Sequence, residues 1–154
     1  KAVKRFDEIR TWDKEYVMEV KLGETTDTGD PTGKIVKTSG RVLEVSQNEV
    51  ERVLQSFVPG YEQTVPIYSA VKIGGKRAYK LARAGKEFVQ PKRWVRIAQI
   101  KLLDLQGPSL QVKVVCGSGT YMRQLAMDIG EKLGLPAHCS QLRRTRVGEF
   151  KLPI

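Results

Sequence analysis

Three stretches of this chain place reactive or ligand-binding residue types at spacings that could do chemistry. The first is Asp13-Lys14-Glu15-Tyr16, which leads into Thr25-Thr26-Asp27-Thr28-Gly29-Asp30-Pro31-Thr32-Gly33. A calcium loop needs acids at alternate positions followed by glycine. Asp27 and Asp30 miss that spacing, so a polar turn whose acids cap backbone N–H groups is the simpler reading. The second stretch runs from Pro66 to Gly85 and interleaves Tyr68, Lys72, Lys76, Arg77, Tyr79, Lys80 and Arg83. Tyrosines can stack on unpaired bases while lysines and arginines meet phosphate. The same residues would equally make a hairpin and helix with solvated cations. The third is Cys116-Gly117-Ser118-Gly119-Thr120-Tyr121-Met122-Arg123, a glycine-rich turn between an apolar strand and a helix. A helix N-terminus offers free N–H groups and a positive dipole end to an anion. No Gly-Lys-[Ser/Thr] follows, so a nucleotide P-loop is excluded. Arg123 in the first helical turn opposes the dipole, which points either to a specific anion or to a structural carboxylate partner.

Other chemistries find no support. His138 is the single histidine, so sites built on several imidazoles are excluded and no metal is expected. Ser69 and Ser118 have no histidine and acid partners at a recognisable spacing. Cys116 and Cys139 make no CxxC pair, and we read them as reduced core thiols of a cytoplasmic protein.

The elements that must position these residues follow from periodicity. Tyr16, Met18, Val20 and Leu22 alternate with Glu15, Glu19 and Lys21, the pattern of a half-buried strand. A short strand is expected around Ile35-Val36. Ser46 and Glu49 form a capping box before a helix with Val50, Val53, Leu54 and Phe57 on one face, stopped at Pro59-Gly60. Ile67 to Ile73 reads as a strand and Lys76 to Ala84 as a short helix ending at Gly85. Val95 to Leu105 and Leu110 to Cys116 read as antiparallel strands about a Gly107-Pro108 turn. Met122, Leu125, Ala126, Ile129 and Leu133 make an amphipathic helix closed by Gly134. Strands near His138–Arg144 and Val147–Leu152 finish the chain. This order predicts an α+β fold, a mixed and mostly antiparallel sheet with flanking helices.

The chain has 154 residues and a net charge of +10, enough length for a core and no apolar run long enough for a membrane helix. Residues 1–77 hold 13 basic and 12 acidic side chains, whereas residues 78–154 hold 14 and 5. A basic half suggests a polyanionic partner, most simply nucleic acid, against the alternative of a merely basic surface.

Taken in order, several pieces resemble the TruB family of tRNA pseudouridine synthases. They are Lys14-x-Tyr16, Leu22-Gly23 with Thr26-Asp27-Thr28-x-Asp30, and Tyr68-Ser69-Ala70-Val71-Lys72 through Ala82-Arg83. Gly119-Thr120-Tyr121-x-Arg123 and Leu142-Arg143-Arg144-Thr145 complete the set. The resemblance implies a pseudouridine synthase-like catalytic core and a monomeric enzyme that isomerises a T-loop uridine of tRNA without cofactor or metal. It implies that the target base is flipped from the loop. On this basis Tyr16 would stack on the uracil, and Arg123 would pair with the catalytic aspartate. Tyr121 would line the pocket, Leu142 would form an apolar wall, and Asp30 would belong to the surrounding polar network. Lys72, Arg143 and Arg144 would contact the RNA.

One departure accompanies the match. The family's nucleophile lies in a Gly-x-Leu-Asp-Pro-type motif upstream of the Lys-x-Tyr strand, and none of Asp7, Asp13, Asp27, Asp30, Asp104 and Asp128 has that context. The expectation is a single incomplete catalytic domain over 1–154, without the nucleophile segment and the C-terminal RNA-binding domain, and inactive by itself. The alternatives are a non-catalytic RNA-binding module and a guide-RNA-dependent relative of the same superfamily.

Overall fold

The computed structural model describes residues 13–39, 45–65, 91–117 and 119–147, with the strand backbones at 72–73, 76–77 and 150–151. Strand β1 (Lys14–Leu22) carries the expected alternation, with Met18, Val20 and Leu22 buried. A small hairpin follows, β2 (Glu24–Thr26) and β3 (Ile35–Thr38). Helix α1 (Gln47–Gln55) starts where Ser46 Oγ accepts the Glu49 N–H at 3.1 Å, and it buries Val50 and Leu54. Next come β4 (Gly60–Thr64), β5 (Lys72–Ile73), β6 (Lys76–Arg77), β7 (Lys92–Gln106) and β8 (Ser109–Cys116). Helix α2 (Met122–Lys132), β9 (Ala137–Val147) and β10 (Phe150–Lys151) complete the described elements.

Six strands form one sheet in the order β10-β9-β1-β8-β7-β4, and every described pairing is antiparallel. The centre of the sheet therefore joins the two ends of the sequence, with β1 between β9 and β8. Both helices lie on one face. Val50, Leu54 and Phe57 from the α1 region and Leu125, Ala126 and Ile129 from α2 pack on Met18, Val20, Leu110, Val112 and Val114. Lys132 of α2 sits over the Phe57 ring, 4.2 Å from its centroid. Cys116 and Cys139 are free and buried, as core thiols should be. Among the described residues no helix is long and apolar enough to cross a membrane.

Three expectations about elements change. Gly60, read as a helix stop, is also the first residue of β4, a strand absent from the sequence reading. Its period is hidden because the buried position is polar Gln63. A side chain at Gly60 would lie 2.4 Å from the Val95 carbonyl oxygen and run into the Trp94 ring, so this pairing requires glycine. Residues 24–26, read as part of a polar loop, form β2, because Ile35-Val36 supplies a partner across the turn. Lys76–Arg77, read as the start of a helix, pairs in a ladder with Lys72–Ile73. The rest of the expected 67–73 strand and 76–84 helix, with the Gly85 cap, lies outside the described residues.

Candidate functional site

Two pairs, each built on an arginine, mark the helix-covered face beside α2. The first is built by the loop between β2 and β3. Asp30 folds the loop around its own carboxylate, where Oδ1 accepts from Thr28 Oγ1 at 2.8 Å, Thr32 N at 3.0 Å and Thr32 Oγ1 at 2.5 Å. Thr26 Oγ1 donates to the Asp30 carbonyl at 2.6 Å, and Asp27 Oδ1 accepts the Lys34 N–H at 2.9 Å. The acids cap backbone N–H groups, as the sequence suggested. The loop is also docked, since the Gly29 carbonyl accepts the Cys139 N–H of β9 at 2.9 Å. Gly29 has φ +80°, and a Cβ there would lie 2.9 Å from Arg123 Cβ. The loop thus presses on the first turn of α2.

That contact orients the pair. Asp30 Oδ2 lies 3.0 Å from Arg123 Nη2. The Thr32 hydroxyl, with Thr28, the Thr32 N–H and the nearby Arg123 cation, holds the Asp30 carboxyl below its ordinary value despite some burial. Arg123 keeps 57% of its side chain exposed. A guanidinium has five donors, so one carboxylate does not exhaust it. Its place against the helix dipole is explained at least by Asp30.

The second pair comes from strand register. Tyr16 sits opposite Arg144, and Met18 opposite Leu142, on adjacent strands β1 and β9. Opposed residues share a face, so Tyr16, Leu142 and Arg144 look the same way as α2. The Arg144 guanidinium lies near the Tyr16 phenol. Burial, with Cys116 nearby, nevertheless raises the Tyr16 pKa above its ordinary value, and Arg144 opposes that rise. Val20 pairs with Cys139, beneath the Gly29 loop. From that point to Tyr16 is four residues of strand, about 13 Å. Leu142, 44% exposed, lies between the two ends as an apolar floor. Arg143 pairs with Val17 and so belongs to the opposite face.

Tyr121 is held through its backbone. Gln63 Oε1 accepts its N–H at 2.8 Å, and Gln63 Nε2 donates to its carbonyl at 2.9 Å. Gln63 Nε2 also donates to the Tyr61 hydroxyl at 2.8 Å, and Tyr61 donates to Asp128 Oδ2 at 2.7 Å. Gln124 Nε2 donates to Asp128 Oδ1 at 2.9 Å. Burial raises the Asp128 carboxyl above its ordinary value, against the hydrogen bonds from Tyr61 and Gln124. Tyr121 is the N-cap of α2 and makes no side-chain cap of its own, so Gln63 from β4 takes part of that duty. This network escaped the sequence reading. The one local signal was Gln124 and Asp128 at helical i,i+4 spacing.

Lys72 lies in β5, and its side chain is outside the described residues, as are Tyr68 to Val71 and Tyr79 to Arg83. The arrangement therefore unites Tyr16, Asp30, Arg123, Leu142 and Arg144 on one face, fixes Tyr121 beside them, and separates Arg143. An aromatic, an apolar floor, two cations and a structured carboxylate can receive a planar base and position an acid group.

Known proteins resemble the chain along its whole length. Residues 1–122 match the model of the TruB family pseudouridylate synthase N-terminal domain, and residues 123–153 that of the tRNA pseudouridylate synthase B C-terminal domain. The two matches meet inside the first turn of α2, where the structure has no boundary. The chain is 42% identical over 154 residues to tRNA pseudouridine synthase B of Parabacteroides distasonis, covering all of this chain and 65% of that protein. It is 43% identical over 140 residues to the same enzyme of Francisella tularensis subsp. novicida, covering 91% of this chain and 46% of that one. The chain thus spans about half to just under two thirds of these relatives. A solved Cbf5-Nop10-Gar1 complex contains a chain with TM-score 0.64 and 27% identity, covering 97% of this chain and 35% of its own length. A second solved structure, an H/ACA RNP bound to a substrate RNA containing 2'-deoxyuridine, shares the fold with TM-score 0.57 over 90% of this chain and 29% of its own.

Proposed function

Since the chain belongs to the TruB pseudouridine synthase family, we propose that it supplies the base-binding part of an enzyme that isomerises a T-loop uridine of tRNA to pseudouridine. The base leaves its stack to reach the site. An aspartate attacks the nucleoside, the glycosidic bond breaks, the uracil turns, and a carbon–carbon bond forms. Tyr16 stacks on the uracil, Leu142 walls the pocket and Tyr121 lines it. Arg123 pairs with the nucleophilic carboxylate and keeps it ionised. Arg144 and the basic second half of the chain meet the RNA. The observation that carries this reading is the Asp30–Arg123 pair at one end of an apolar floor and the Tyr16–Arg144 pair at the other.

The nucleophile is not among this chain's described aspartates. Asp13 is enclosed, Asp27 and Asp30 hold their own loop, Asp104 binds Leu105 N and Gln106, and Asp128 is locked to Tyr61. None of the six aspartates, Asp7 included, stands in a Gly-x-Leu-Asp-Pro context, so the 154-residue chain alone should convert no tRNA uridine, and conversion by it would refute this part. The stand-alone reading is preferred over a guide-dependent one because the tRNA enzymes share 42% and 43% identity, against 27% for the Cbf5 complex.

The test is Arg123→Ala in the full-length protein. Losing a charge aimed at a reacting group costs about 100-fold or more in turnover. Binding of tRNA should change little. Unchanged turnover would remove Arg123 from its role.

A further inference from the structure

The one polar side-chain atom buried without a partner among the described residues is Asp13 Oδ1. The Asp13 side chain is fully enclosed, and its other oxygen meets Arg96 Nη1 in an ion pair. Burying a carboxylate with one oxygen unsatisfied is unfavourable, so the arrangement calls for a reason beyond stability. Its location supplies one. Asp13 immediately precedes β1, three residues before Tyr16. The Arg96 carbonyl accepts the Gly117 N–H at 3.0 Å, where β8 turns toward α2. A Cβ on Gly117 would lie 3.5 Å from Arg96 Cβ and 4.0 Å from Asp13 Oδ1, so the turn rests directly on the pair. Thr120 Oγ1 then donates to the Gly117 carbonyl at 3.0 Å, and Tyr121 and Arg123 follow.

We infer that the buried Asp13–Arg96 pair is a positioning device for the reaction proposed above. It ties the start of the strand bearing Tyr16 to the turn that delivers Tyr121 and Arg123. Asp13 cannot touch substrate, because it is enclosed; it acts through the Gly117–Thr120 turn. The inference rests on the pseudouridine synthase reading for its kinetic consequence, and on geometry alone for its structural one.

The experiment uses the full-length protein with the double substitution Asp13→Leu/Arg96→Met and the single substitution Arg96→Lys. Apolar replacement of a whole buried ion pair commonly preserves or raises stability. A role confined to stability would thus be rescued in the double variant. A positioning role would not, since displacement of about 1 Å costs about 100-fold in rate. The expected result is a melting temperature near wild type, kcat down about 10- to 100-fold, KM within about threefold, and faster amide exchange confined to residues 117–123. Arg96→Lys keeps the charge without the guanidinium fork and should lose a smaller part of kcat. Wild-type kcat and wild-type exchange over 117–123 in either folded variant would overturn the inference. If wild-type protein converts no uridine, the function reading fails, and unchanged exchange over 117–123 would still decide against the pair.

Discussion

Replacing Gln63 by leucine should cost more than any other single polar substitution among the described residues of β4. Gln63 is 1% exposed and makes three hydrogen bonds, two to the Tyr121 backbone and one to the Tyr61 hydroxyl. Leucine fills nearly the same volume, so cavity terms are small. Tyr61 keeps Asp128 as its acceptor. The Tyr121 carbonyl keeps the Leu125 N–H at 3.0 Å, but the Tyr121 N–H loses its one partner, and an orphaned buried backbone donor costs about 1–3 kcal/mol. Tyr121 is only half-buried, so water recovers part of this, and the lower end applies, about 1–2 kcal/mol in all. Gln63→Glu sharpens the test. Its carboxylate can still accept the Tyr121 N–H, but its second oxygen faces the Tyr121 carbonyl. Only the protonated acid fits, so its folded pKa must rise above the ordinary glutamate value of about 4.3. A raised acid pKa means stability retained at low pH and lost as pH rises through the folded value. Urea denaturation of the full-length protein at pH 4.5 and pH 7.5 reads both effects. A loss below about 1 kcal/mol in Gln63→Leu would show that the network does not hold the α2 N-terminus. So would a Gln63→Glu variant indifferent to pH.

Three further outcomes follow from the same geometry. Gly29→Ala and Gly23→Ala both force a side chain into positive φ, costing about 1–2 kcal/mol, but only position 29 pushes on Arg123. A larger melting loss for Gly29→Ala than for Gly23→Ala, with lower turnover for Gly29→Ala alone, is expected, and equal turnover would show that the loop does not orient Arg123. Asp30 titrates below the ordinary carboxylate value, first because Thr32 donates to it. Its contribution to stability is present above about pH 3.9 and lost as pH falls through the folded value. Asp30→Asn should therefore flatten the acid limb of a melting-temperature profile, and an unaltered limb would contradict the network. Arg144→Glu should weaken tRNA binding and lower its salt slope by about 1 for a lost phosphate contact, while Arg143→Glu, on the other face, should not. Equal slopes for both would refute the division by face.

Much of the fold was legible because it is written in local periodicity. β1, the β7–β8 hairpin and α2 follow directly from alternating or helical apolar positions, and the Ser46 cap from residue type. β4 was not legible, since its buried residue is a glutamine whose partners are 58 and 2 positions away. The start of the expected helix at Lys76 gave way to a ladder, because strand pairing depends on a partner that periodicity does not see.

The sequence by itself determined the family, through the ordered motifs that carry Tyr16, Tyr121, Asp30, Arg123 and Leu142, and the concentration of basic residues in the second half of the chain. Those depend on residue type and order. Only the tertiary structure decided which charges meet. Asp30 finds Arg123 across 93 residues, and Asp13 finds Arg96 across 83. The neighbours Arg143 and Arg144 part because successive strand residues face opposite ways and β9 is in register with β1. Electrostatic partnership is set by distance in space and by burial, and neither quantity is carried by any single stretch of chain.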